Sequence, residues 1–264
     1  MGGILRSYSE VDGAFVSTEV KDIVRRAAFQ ARALDEVAQR CAEDLFASLR
    51  NSVLIRVYAT CRFGNLPALD RERVGAFAAR AGVTKAMTEN SPVLSLMGTA
   101  GTMPEWRDRL ASTDLLGIPL VGPSLGESIP MIASLMSQLS PDSQWAGPEA
   151  ATEIVIKSMG RMGAVCHVPD AATSRDRRER LIVPAQDLVR AHQVKSVFAI
   201  GGAYMDGTVC VFMLFTRESV RRELAERFMP MINYFKMATM FLVNSGRRFS
   251  PDGAAAPRRQ VASR

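Results

Sequence analysis

The 264-residue chain contains no apolar run approaching the roughly 20 residues that a membrane-spanning helix requires. Its first residues, MGGILRSYSE, lack the apolar stretch and cleavage site of a secretory signal. Arg6 stands where a myristoylation pattern wants Ser or Thr. Cysteine is scarce too: Cys41, Cys61, Cys166 and Cys210 lie far apart, with no C-x-x-C pair. Reduced thiols in a cytoplasmic protein are therefore expected. Only two histidines occur, His167 and His192, and they form no zinc-ligand spacing with the cysteines. The glycine-containing stretches GTAGTMPEW and GGAYMDG lack the lysine and the strand–loop–helix setting of a phosphate-binding loop. No internal repeat is present, and aromatic residues make up 7% of the chain. These shortages remove most metal, nucleotide-hydrolysing and secreted disulfide classes.

Positive charge is present but unevenly placed. Of a net +6, the segment 246–264 supplies +4, from five arginines against Asp252. The rest of the chain is nearly neutral and shows no basic stretch interleaved with aromatics, so no nucleic-acid partner is expected for the folded body. A basic terminus rich in Ala, Pro and Arg reads as disordered over 246–264.

Periodicity supplies the positive signals. Val20, Val24, Ala27, Ala31, Leu34, Ala38, Cys41 and Leu45 alternate in steps of four and three. This predicts one amphipathic N-terminal helix over 18–50 with a heptad seam, after a flexible stretch at 1–17. Leu224, Phe228, Met231, Phe235, Ala238 and Leu242 repeat the pattern on a closing helix from about Glu218, stopped by Gly246. Between the helices the chain reads as mixed α and β. SVLIRVYAT (52–60), PVLSLMGTAG (92–101), LLGIPLV (115–121) and ERLIVP (179–184) are strand candidates. KSVFAIGGAYMDGTVCVFMLFTR reads as a hairpin, with Asp206-Gly207 supplying positive φ at its turn. Helical patterns fall at 70–81, 130–139 and 148–162. One α+β domain is expected over 51–245.

One motif deserves rejection by chemistry rather than by silence. Gly122, Pro123, Ser124, Leu125 and Gly126 match G-x-S-x-G, the nucleophile turn of many hydrolases. Such an enzyme needs a later acid and histidine, an oxyanion loop before the serine, and alternating β and α units. Neither His167 nor His192 follows a convincing acidic loop, and the clearest strand pair is an antiparallel hairpin. Pro123 also restricts a turn that must be strained. Ser124 is read as part of a loop leading into a helix.

The hairpin and closing segment SVFAIGGAYMDGTVCVFMLFTRESV resemble the last strands and helix of GAF-like sensory domains. VCHVPDAATSRDRRERLIVPAQDLVRAHQVKSV, LIRVYATCRFGNLP, GTAGTMPEWRDR and GIPL are similar to one bacterial branch, often fused to PAS domains and histidine kinases. The similarity covers about 52–241. It implies an antiparallel sheet with both terminal helices bundled on one face, often dimerising. The opposite face would carry a small-molecule pocket. Trp106 and His167 are expected to line that pocket. Val24, Ala27, Leu34, Cys41, Leu45, Phe228 and Phe235 are expected to form a homodimer interface. No kinase core or phosphorelay histidine follows Leu242, so output would pass through a protein partner or the oligomer itself. The resemblance brings no catalytic residue, and neither cofactor nor metal is identified. The expected function is a non-enzymatic cytoplasmic signalling module that binds a small ligand or partner. The alternative is a scaffold of the same fold with a filled core. A third reading is a reductase using Cys166 or Cys61.

Overall fold

The computed structural model describes residues 5–112, 116–121, 164–176 and 178–251. The G-x-S-x-G stretch with Ser124 and the helical patterns at 130–139 and 148–162 lie outside these residues. So does the arginine-rich part of the tail, from 252 onward.

The first long helix opens at Gly13–Phe15, where the Asp12 carboxylate accepts from the Phe15 amide at 2.7 Å. That bond satisfies one of the donors a helix start leaves unpaired. The helix runs on through a π-helical stretch, Val16–Val20, into α1, Lys21–Ala28. In chain order there follow α2 (Leu34–Ser48), β1 (Ser52–Arg62), α3 (Ala68–Arg80), β2 (Pro92–Gly101) and β3 (Gly117–Pro119). Then come β4 (Ala164–Val168), α4 (Gln186–His192), β5 (Ser196–Ala203), β6 (Val209–Thr216), α5 (Arg222–Glu226) and α6 (Met229–Asn244). The strands form one antiparallel sheet in the order β3-β2-β1-β6-β5-β4. This is the α+β architecture read from the sequence.

Alternation along the strands divides the core into two layers. Ile55, Val57, Phe198, Ile200, Phe212 and Leu214 face α1, α2, α5 and α6 in one buried cluster. Leu54, Tyr58, Leu96, Val197, Val211 and Met213 face the other way, toward Trp106, Ile118, Val183 and Val189. The terminal helices therefore cover a single face. α2 lies so close to β2 that a Cβ on Gly98 would sit 2.4 Å from the backbone at Ala38 and Gln39. Gln39 ties the contact by donating to the Thr99 carbonyl at 2.8 Å while its own carbonyl accepts from the Thr99 amide at 3.0 Å.

Several sequence expectations need correction. The single helix over 18–50 is broken: Phe29 and Ala33 are extended and Gln30 is left-handed, with φ 58°. The seam survives across the break because α1 and α2 bury their apolar sides against the same core. The closing helix is likewise divided, with Pro230 in the first turn of α6. Gly246, with φ 72°, ends α6, and the amides of Gly246 and Arg247 bond back to Val243 and Leu242. ERLIVP is not a strand and contributes one isolated bridge, Arg175 to Leu181. In the hairpin turn Gly207 has positive φ and Asp206 does not.

The ends of the chain are also more built in than expected. Residues 5–17 are not a loose arm: Tyr8, Val11 and Phe15 are buried, and the Tyr8 hydroxyl bonds Ser52 at 2.7 Å. At the other end, 247–250 forms a strap across the start of α2. The amides of Leu34 and Asp35 donate to the Arg247 and Arg248 carbonyls, and the Asp35 carboxylate accepts from the Ser250 amide at 3.0 Å. Burial pushes the Asp35 carboxyl above the usual range, although the Ser250 amide and Arg109 oppose that shift.

Candidate functional site

The sheet face turned away from the terminal helices carries an open cleft of about 620 Å³. That volume lies within the range of small-molecule sites. Its floor includes Arg56 of β1. One wall comes from the connection after β2, with Glu105, Trp106 and Ser112, and the other from 184–185 and α4.

Local bonding fixes both walls. The Trp106 carbonyl accepts from the Thr99 hydroxyl at 3.0 Å, and its own amide donates to Met103. Trp106 also packs over Gly101, where a Cβ would come within 2.8 Å of the Trp106 side chain. A larger residue there would push the indole off the sheet. On the opposite wall, the Gln186 side-chain amide donates to the Ala171 and Val183 carbonyls at 3.0 and 2.7 Å. His192 ends α4, and its carbonyl accepts from Arg217 Nε at 2.9 Å. The walls meet where the Trp106 and His192 rings approach, with centroids 4.8 Å apart. Thr102 Oγ1 stands 3.5 Å from His192 Nδ1.

Arg56 is the unusual member. It sits mid-strand between Leu54 and Tyr58, which belong to the apolar cluster of this face, and is 5% exposed. Its cross-strand neighbours are Thr99 and Met213. Nη1 lies 3.4 Å from the Tyr58 hydroxyl, while Nε is buried without a partner. Among the described residues no carboxylate pairs with it. At the rim, Arg190 is matched by Asp187 at 2.6 Å.

Of the two residues expected to line the pocket, the structure places one there. Trp106 is in the cleft wall. His167 is in β4 rather than in a loop, paired across the sheet with Phe198, and shares that residue's face toward the terminal helices. Its Nε2–H donates to the Val220 carbonyl at 2.6 Å. There it steadies the link from β6 into α5, together with Ser196, whose hydroxyl donates to the Glu218 carbonyl. The pairing of Trp106 with His167 is thus corrected: the histidine beside Trp106 is His192. Sequence inspection passed over His192 because its proximity to Trp106 depends on tertiary packing. Arg56 did carry a signal, a lone charge within the β-rich run SVLIRVYAT.

The seven side chains expected at a dimer interface are occupied within one chain. Val24, Ala27, Leu34, Cys41, Leu45, Phe228 and Phe235 are all buried, each at most 1% exposed. They pack between the helices and the sheet, leaving nothing of themselves for a second subunit. The apolar side chains that are exposed on α6 are instead Met237, Met240 and Phe241, with Met205 nearby at the hairpin turn.

All four cysteines are buried, and burial pushes Cys61 and Cys210 up to about 12. Cys61 and Cys166 belong to opposite faces of the sheet. Among the described residues no three His, Cys, Asp or Glu side chains converge as a metal site. Also among them, no helix is long and apolar enough to cross a membrane.

No family model and no curated protein matches the chain. Two solved structures are similar to it at fold level: the phycoerythrobilin-bound and the phycocyanobilin-bound GAF domain from a cyanobacterial phytochrome. Each is 12% identical and matches over 89% of this chain and 98% of its own, with TM-scores of 0.43 and 0.44.

Proposed function

We propose that the chain is a GAF-like regulatory module that binds a small molecule in the cleft between Trp106, Arg56 and α4. It passes the binding event to a protein partner. The observation that carries this reading is the unequal treatment of the two sheet faces. One is sealed by four helices, while the other keeps a cleft of about 620 Å³ floored by a buried arginine. A scaffold that needed only the fold would gain stability by closing that cleft with apolar side chains.

The cleft and the helices share structural elements, so occupancy has a route outward. Arg217, which holds the His192 carbonyl, follows β6 directly, and Val220 bonds His167 before α5 begins. At the other end of the hairpin, the Tyr204 hydroxyl meets Thr239 of α6 at 2.7 Å. A ligand that favours one placement of α4 would bias the hairpin and α6 by its differential affinity for the two placements.

The module acts as a homodimer in this reading, through the exposed stripe Met237, Met240 and Phe241 in place of the buried seam. These side chains lie on one side of α6 at three- and four-residue spacing, as a two-fold symmetric contact requires. The reading places the protein in the cytoplasm and assigns it no catalysis, in keeping with the buried, protonated thiols.

Native mass spectrometry of the purified full chain tests ligand and oligomer together. The expected spectrum is a dimer carrying a small-molecule adduct that Ala191→Phe removes. An adduct-free protein unaffected by Ala191→Phe would favour the scaffold. A monomer at high micromolar concentration would end the dimer.

A further inference from the structure

The buried guanidinium of Arg56 bears on which molecules the cleft accepts. An arginine stays protonated at any physiological pH, so it cannot escape burial by losing its charge. Holding an unmatched cation in an apolar layer is costly. Around Arg56 the layer is apolar: Leu54 and Tyr58 flank it on β1, and Met213 lies opposite on β6. The Tyr58 hydroxyl, 3.4 Å from Nη1, is neutral and offers weak compensation.

Among the described residues, the other charged groups lining the cleft do not balance it. Asp187 is fully exposed and already bonded to Arg190. Glu105 lies on the exposed rim and makes no ion pair with Arg56. His192 adds a second ring able to take part in a hydrogen bond. The Arg56 Nε–H has no acceptor among the described residues. A guanidinium presenting Nε and a terminal nitrogen side by side matches the two oxygens of a carboxylate or phosphate. Beside it the Trp106 indole is 8% exposed in the cleft wall and offers an apolar surface.

We propose that the cleft is selective for small organic anions. A carboxylate, sulfonate or phosphate group would pair with Arg56, and an apolar or aromatic body would lie against Trp106. This rests on the cleft being a ligand site, as proposed above, and adds the charge and shape of what enters.

A matched pair of dyes separates the two ideas. 8-Anilinonaphthalene-1-sulfonate carries an acidic group that N-phenyl-1-naphthylamine lacks, on the same aromatic skeleton. Binding to the chain is read as energy transfer from Trp106, identified by its loss in Trp106→Phe, and only the part that Ala191→Phe abolishes is counted, so dye on other apolar surfaces is excluded. The wild type is expected to bind the sulfonate at least about tenfold more tightly than the neutral dye. Arg56→Met should reduce that preference to about one while keeping the neutral dye, and Arg56→Lys should fall between. Because the wild-type preference is itself a readout, the test stands even if a variant folds poorly. Equal binding of both dyes by wild type, or an undiminished preference in a folded Arg56→Met, would overturn anion selectivity and leave the cleft reading intact. No transfer from Trp106 to either dye would overturn the cleft reading, and the inference with it.

Discussion

The two faces of the sheet solve different problems with the same strands. Toward the helices, Phe198, Phe212, Phe228 and Phe235 interlock, with Phe212 and Phe235 edge to face at 5.0 Å. Even the backbone of α2 presses onto Gly98. Toward the cleft, the layer tolerates a cation, a half-buried histidine and open volume. Close packing on one side supplies the stability that an imperfectly packed site on the other consumes. Substitutions should therefore divide by face.

The largest effect belongs to the helix face. Phe228→Ala should lower unfolding stability by about 3–5 kcal/mol, because the residue is fully buried against Tyr8 and Phe198. Denaturant melts would check this, and a loss below about 1 kcal/mol would mean that the face is loosely packed. Similar in size is Asp70→Ala, which leaves Arg109 buried without its 2.7 Å partner and should also cost about 3–5 kcal/mol. That pair anchors α3 to the connection bearing Trp106, so the loss should be accompanied by a change in Trp106 emission.

Gly98→Ala comes next. Its methyl group meets backbone rather than a yielding side chain, and overpacking of this kind costs about 1–3 kcal/mol. By contrast, Ala191→Phe on the exposed cleft wall should change stability by less than about 0.5 kcal/mol, as surface substitutions usually do. Equal losses at positions 98 and 191 would erase the difference between the faces.

The smallest effect is a pH dependence at the C-terminal strap. The folded-state pKa of Asp35 lies above its ordinary value through desolvation, so the folded chain holds a proton that the unfolded chain releases. Its contribution to stability is full below the ordinary carboxylate range and declines as pH rises through the folded value. Asp35→Asn should remove that decline, so its melting temperature relative to wild type should rise with pH. A constant difference across the acidic range would show that Asp35 does not titrate in this way.

What was legible in the sequence follows the same division. β1, β2 and the β5–β6 hairpin were readable because alternation and β-branched side chains mark a pleated surface whatever covers it. The break between α1 and α2 was hidden, since FQARA contains no glycine or proline and the apolar seam runs through it unbroken. Heptad spacing reported that Leu34 and Cys41 are buried, but not by what; the sheet of the same chain took the place of a partner helix. Trp106 was found as a cleft residue and His167 was not, because β4 turns His167 toward the helices. The cleft depends on α4 meeting the connection after β2, where His192 packs against Trp106 and stands beside Thr102, 90 positions earlier in the chain.

The face away from the helices is expected to be an open binding surface. Titrating the wild type with N-phenyl-1-naphthylamine tests it most directly, with energy transfer from Trp106 as the readout and Ala191→Phe beside it. Saturable transfer in the wild type, abolished in an equally stable Ala191→Phe, is the predicted result. Absence of transfer in the wild type, or transfer unchanged by filling the cleft, would contradict it.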